Sequence, residues 1–222
     1  TVATTYEKWT SSSSGTILAA AQAAAAMGCK AKVPSEFLSM VSKAIDSDSL
    51  PGVYQTLGTA ALGGLDVPVD DVEKALSKLG TYLTSSGLFS NGLTEKRSAD
   101  TAGMAYHSVV YAQKLAKGAL SEESNKVIKD IVDSVPKLFD HLESSDDGAL
   151  EFVGSDIFGD AANLVATSLV FSGLCALANG GHLEAIKSAV SADTVEGMFL
   201  LESLARSSGF DVIQHSNCIR TV

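Results

Sequence analysis

The stretch Val67-Pro68-Val69-Asp70-Asp71-Val72-Glu73-Lys74-Ala75-Leu76-Ser77-Lys78-Leu79-Gly80 decides the fold. Val72, Leu76, Leu79 and, beyond it, Leu83 fall on one side of a helix, the spacing of an amphipathic segment with one buried face. Asp70 and Asp71 stand in its first turn, where the helix dipole favours negative charge. The same plan occurs 34 residues earlier, where Val33-Pro34-Ser35-Glu36 leads into Phe37, Met40, Val41, Ala44 and Ile45. A helix of small residues precedes each Val-Pro. One covers 16–27 and stops at Gly28; the other covers about 52–63 and stops at Gly63-Gly64. A fixed period of this length is the mark of stacked helical pairs. The first helix of each pair is apolar nearly all round and is expected to be inner. The second is one-faced and is expected to be outer. The fold class that follows is all-α: a paired-helix α/α solenoid or partial α/α toroid, with two short β excursions.

The rest of the chain continues the pattern. Residues 1–14 end in a serine run and read as a loose segment with Tyr6 and Trp9 as possible anchors, leaving 15–222 as one helical-repeat domain. Residues 84–98 interrupt the pairs as a loop, with a short hairpin expected at Leu88–Leu93 around Asn91-Gly92. Ala99–Lys117 is an inner helix ended by Gly118. Ser121-Glu122-Glu123 opens an outer one carrying Val127, Ile131, Val135, Leu138 and Leu142, with a kink or break expected at Pro136. Ser144–Asp156 is a second loop with a short strand at Leu150–Val153. A further pair covers about 157–178 and 182–190, separated by Asn179-Gly180-Gly181. A last helix spans 193–207, and Phe210–Ile213 has strand character.

Composition narrows the function. The hydrophobic fraction is 45% and the charged fraction 19%, which excludes a disordered chain. The net charge of -10, with no Lys/Arg cluster, excludes a phosphate-neutralising face and hence nucleic acid as a partner. The longest nearly apolar runs, Ile17–Met27 and Leu164–Ala178, fall short of the ~20 residues of a spanning helix, so no direct membrane span is expected. Cys29, Cys175 and Cys218 lie too far apart for a CxxC site, and an odd count allows at most one internal disulfide. Cys29 and Cys175 read as buried structural residues.

No constellation for catalysis emerges. His107, His141, His182 and His215 share no metal-ligand spacing. Asp70-Asp71 and Asp146-Asp147 lack the further acids of a DDxxD or DxDD motif and read as a helix start and a turn. Gly63-Gly64 and Gly180-Gly181 lack the frame of a phosphate loop, and no serine sits in GxSxG. No catalytic residue, metal or cofactor is therefore assigned, and a stacked-helix protein without them reads as a binding or scaffolding module.

Several short motifs, in order, carry a family resemblance. Met27-Gly28-Cys29-Lys30 ends an early inner helix. Ala102-Gly103-Met104-Ala105-Tyr106 begins a later one. Lys137-Leu138-Phe139-Asp140 ends the following outer helix, and Asp146-Asp147-Gly148 with Phe152 stands in the loop after it. The series resembles the N-terminal lumenal domain of ribophorin II, the δ-type subunit of oligosaccharyltransferase, over residues 14–215. The resemblance implies an α-helical, non-catalytic accessory subunit on the lumenal side of the endoplasmic reticulum. Its partners would be protein subunits of a membrane complex that glycosylates asparagine. Ribophorin II itself continues into a β-rich domain and transmembrane helices beyond this region.

Three other readings stand beside it. One is a stand-alone extrinsic scaffold in another organelle's membrane complex. Another is an α/α toroid enzyme with acids in a central cavity. The third is a binder of a peptide or apolar ligand on a concave face lined by Phe171, Met198 or Phe199. Loops on a rigid scaffold are the usual carriers of function. The interface candidates are accordingly Tyr6, Trp9, Leu88, Phe89, Asp146, Asp147 and Phe152.

Overall fold

The computed structural model describes residues 14–28, 37, 49–92, 97–144, 150–152 and 160–190. These residues are mostly helical, with two small antiparallel ladders. Helix α1 is Ser14–Ala26, and the chain leaves it at Gly28 with φ +69°. Helix α2, Leu50–Gly63, begins two residues before the expected start. The Ser49 hydroxyl accepts from Gly52 N at 3.2 Å, and Pro51 fits the first turn. Gly64, at φ +67°, ends it as expected. Helix α3, Val69–Tyr82, buries Val72, Ala75, Leu76, Leu79 and Tyr82 on one face. Of the Val33-Pro34 helix only Phe37 is described; it is helical and buried. The remainder of that helix, the 193–207 helix and the 210–213 strand lie outside the described residues.

The first β excursion differs from expectation. Strand β1, Phe89–Ser90, pairs with β2, Arg97–Ser98, rather than folding back at Asn91-Gly92. Gly92 does turn the chain (φ +79°), but Phe89 is also held from the other side by a bridge to Leu83. Helix α4, Ala99–Ala116, follows at once and ends where Lys117 and Gly118 both take positive φ. Its buried residues lie on several sides of it, among them Thr101, Gly103, Tyr106, Ser108, Val109 and Tyr111.

The next helix is shorter than its apolar pattern. Helix α5, Glu122–Asp133, is capped by the Ser121 hydroxyl, which accepts from Ser124 N at 3.2 Å. It stops at Ser134 because Pro136 offers no N–H to continue the ladder. Helix α6, Val135–Leu138, and a 3₁₀ turn at Phe139–His141 take the chain away. Leu142, expected on the helix face, instead opens β3, Leu142–Ser144, and pairs with Phe152 of β4, Leu150–Phe152. Helix α7, Asp160–Leu177, runs through a π turn at Ala178–His182, where Gly181 has φ +103°, into α8, Leu183–Ala189.

The heaviest contacts run between successive small-residue helices rather than within the expected pairs. Helices α1, α2, α4 and α7 each pack on the next, while α3 packs on α2, α4 and α5. Helix α8 packs on α6 and α7. One core joins them, filled by Leu57, Leu76, Leu79, Tyr106, Val109, Ile131, Leu138, Val170 and Ile186 among others. The closest approach is between α4 and α7. A Cβ on Gly103 would lie 2.4 Å from the Leu169 carbonyl oxygen, and one on Gly173 would lie 2.7 Å from the Gly103 carbonyl oxygen. Gly103 meets Leu169 and Gly173, while Gln113 meets His182 ten residues further along, so α4 and α7 run parallel.

Candidate interface

Because α4 and α7 are parallel, the β segments that precede them lie at the same end of the molecule. The two segments share a plan that the residues spell out: Leu83-Thr84-Ser85-Ser86-Gly87-Leu88-Phe89 and Leu142-Glu143-Ser144-Ser145…Gly148-Ala149-Leu150-Glu151-Phe152. In each, the leucine that leaves the outer helices pairs with the phenylalanine that leads into the inner one, Leu83 with Phe89 and Leu142 with Phe152. In each, a threonine of the inner helix fastens that phenylalanine. Thr101 Oγ1 donates to the Phe89 carbonyl at 2.8 Å, and the Phe152 N–H donates to Thr167 Oγ1 at 2.8 Å. Sequence reasoning saw the Val-Pro period and missed this second repeat, although the Leu…Ser-Ser…Gly…Phe order was there to find.

The phenylalanines point inward. Phe89 and Phe152 are each 0% exposed. The Phe89 ring stands edge-on to Tyr106 at 6.1 Å, and the Phe152 ring lies 5.9 Å from Phe139 and 5.8 Å from Phe171. As surface contacts these two are therefore corrected: they anchor the loops to the core. Leu88 is half-buried, and Tyr6, Trp9, Asp146 and Asp147 lie outside the described residues. Phe171, weighed as a concave-face contact, is buried as well, while Met198 and Phe199 lie outside the described residues.

The first loop is rigidly seated. Lys137 Nζ donates to the Ser85 carbonyl at 3.2 Å and His141 Nε2 to the Ser86 carbonyl at 3.0 Å. A carbonyl only accepts, so His141 carries its proton on Nε2. Gly87, at φ +80°, lies against α6, where a Cβ would come within 2.8 Å of Lys137 Cβ. Thr84 Oγ1 closes the turn by donating to the Leu88 carbonyl at 2.7 Å.

A second group of polar side chains crosses the row α1, α2, α4 and α7. Gln22 Nε2 donates to Tyr54 Oη at 2.9 Å. Tyr54, His107 and Tyr111 bring their rings within 6.3 Å of one another, and the His107 and Tyr111 planes differ by 20°. His107 Nε2 and Ser172 Oγ are 2.9 Å apart. Burial raises the Tyr54 pKa and pushes that of Tyr111 up to about 12, so both phenols stay neutral. Room for this group comes from Gly58, where a Cβ would lie 2.7 Å from Leu18 and 2.9 Å from Tyr111.

Two observations bear on compartment and membrane. Cys175 on α7 is disulfide-bonded and half-buried, within the limit of one internal disulfide that three cysteines allow; such bonds persist in oxidising compartments. The run Ala166–Ala189 is long and apolar enough to cross a membrane by length and composition, which the sequence reading missed by ending the run at Ala178. Its Ala166, Thr167, Val170, Phe171, Leu174 and Leu177 are nevertheless buried in the protein, and α4 meets it backbone to backbone. Among the described residues no three His, Cys, Asp or Glu side chains gather as a metal site.

The molecule is thus a helical module in which α4 and α7 each follow a fastened β segment, with no metal-type cluster among its described residues. The ribophorin II N-terminal domain family matches residues 1–199, and the chain belongs to that family. Its members are accessory subunits of oligosaccharyltransferase, the membrane complex of protein N-glycosylation in the endoplasmic reticulum. No curated protein and no solved structure matches the chain.

Proposed function

We propose that this chain is a non-catalytic lumenal subunit of oligosaccharyltransferase and holds partner subunits through the end that carries the two β segments. The family match over residues 1–199 is the observation that carries the reading. The Cys175 disulfide agrees with an oxidising lumen. The row of α1, α2, α4 and α7, backed by α3, α5, α6 and α8, supports an arc of an α/α solenoid. At its hairpin end Leu88 and the loops around Asp146-Asp147 are the contact candidates, held by the buried Phe89 and Phe152. Tyr6 and Trp9 would add a second contact from the N-terminal segment. Affinity purification of the tagged protein from microsomes, with cross-linking before lysis, tests the reading. Recovery of the catalytic transferase subunit with cross-links to residues 84–98 or 144–156 is the expected result. Recovery within a different membrane complex would remove the transferase assignment and leave a scaffold.

A further inference from the structure

We propose that Asn91-Gly92 is a self-modification site, at which solvent water converts Asn91 to isoaspartate under the direction of the α2 N-terminus. The pair directly follows β1. Gly92 is exposed and turns the chain at φ +79°, and without a Cβ it leaves its nitrogen open to the side chain before it. The decisive contact lies on the other side of the same peptide group. The Asn91 carbonyl accepts from Leu50 N at 3.0 Å, and Leu50 is the first residue of α2. That N–H is one of the donors left over at the positive end of the helix, whose first turn holds no acid to offset it.

Electron density drawn through this carbonyl makes the Gly92 N–H more acidic and its nitrogen easier to convert to a nucleophile. That nitrogen attacks Asn91 Cγ. The N–Cγ bond forms, the Cγ–Nδ2 bond breaks, and the amide leaves with the Gly92 proton as ammonia. Water then opens the five-membered imide, and nothing is oxidised or reduced. Attack at Cγ gives aspartate. Attack at the main-chain carbonyl breaks its bond to the Gly92 nitrogen and gives isoaspartate, with the chain now running through Cγ. In the second case the negative charge of addition falls on the oxygen that Leu50 N–H already holds, and the product carboxylate stays where the helix dipole favours it. Asn179-Gly180 is the contrast within the same chain. Both residues are exposed, but Asn179 lies in the π turn, where only Gly181 departs from helical geometry. A helical backbone points the next N–H along the axis, away from the outward side chain. The inference does not depend on the transferase reading.

The test is storage of the full chain at mildly alkaline pH, folded and in guanidinium, followed by peptide mapping with fragmentation that separates aspartate from isoaspartate. In the folded chain, conversion at Asn91 should outrun that at Asn179 by about tenfold or more, a difference that disappears in guanidinium. The isoaspartate share at Asn91 should be higher in the folded chain than in the denatured one. Gly92→Ala should slow the conversion; the comparison of folded with denatured chain needs no variant and decides the matter if Gly92→Ala does not fold, as judged by its melting temperature. Slower conversion of Asn91 in the folded chain than in the denatured one, parity of Asn91 with Asn179 in the folded chain, or an unchanged isoaspartate share would each overturn the inference.

Discussion

Gly103 of α4 and Gly173 of α7 meet with no side chain between them, so that a Cβ on either would fall within 2.7 Å of the other helix's backbone. Both neighbours are main chain and cannot swing aside. Gly103→Ala should therefore force the two central helices apart. A loss of about 3 kcal/mol is expected, at the upper end for overpacked cores. For a chain of this size that lowers the melting temperature by roughly 10 °C. Gly118→Ala is the contrast, since its left-handed backbone is costly but nothing lies within 4 Å of its Cβ position. Calorimetry on the two variants checks the order.

The threonine fasteners can be removed without changing side-chain shape. Thr167→Val leaves the Phe152 N–H without its hydroxyl acceptor, and Thr101→Val takes the donor from the Phe89 carbonyl. Each should cost about 1–3 kcal/mol, the penalty of an unsatisfied buried group. The loss should concentrate at the hairpin end. Hydrogen exchange should speed up at β4 in the first variant and around β1 in the second, while α3 and α5 keep their protection. If the variants also lose transferase partners, the hairpin end is the contact surface.

Much of this architecture was legible in the residues, and the exceptions are local. The Leu76-Leu79 face, the Ser121 cap, the break at Pro136 and the glycine stops all follow from rules that act within one turn. Leu142 was misread because helical spacing and strand alternation coincide for a single apolar residue beyond a break. Phe89 and Phe152 were misread because a loop aromatic looks the same in sequence whether it points out or in. Their direction is set by Thr101 and Thr167, which lie 12 and 15 residues away. The polar group from Gln22 to Ser172 was invisible for the same reason. Its members are scattered over four helices, and only packing brings them together.

The Cys175 disulfide should be measurable as stability. Closing a long loop in the unfolded chain is worth about 2–4 kcal/mol. Reduction of the native protein should lower the melting temperature by roughly 10 °C, given the usual size dependence. Cys175→Ser should reproduce the reduced value and become insensitive to reductant. A variant that still responds to reductant would place the bond elsewhere.

Alkaline titration tests the buried phenols. Burial raises the pKa of Tyr54, Tyr106 and Tyr111, the last to about 12, above the 10.0 of the free side chain. The native state therefore binds these protons more tightly than the unfolded chain does. Their contribution to stability is fully present below the unfolded pKa and is lost as pH rises through the folded values. Tyrosinate absorbance should show a late phase in the folded protein that moves to about pH 10 in denaturant. Tyr111→Phe should remove part of that phase. It should also keep the fold, because the ring that stacks on Tyr54 and His107 remains and Gln22 still donates to Tyr54. A full tyrosinate signal near pH 10 in the native protein would show these phenols to be open to water.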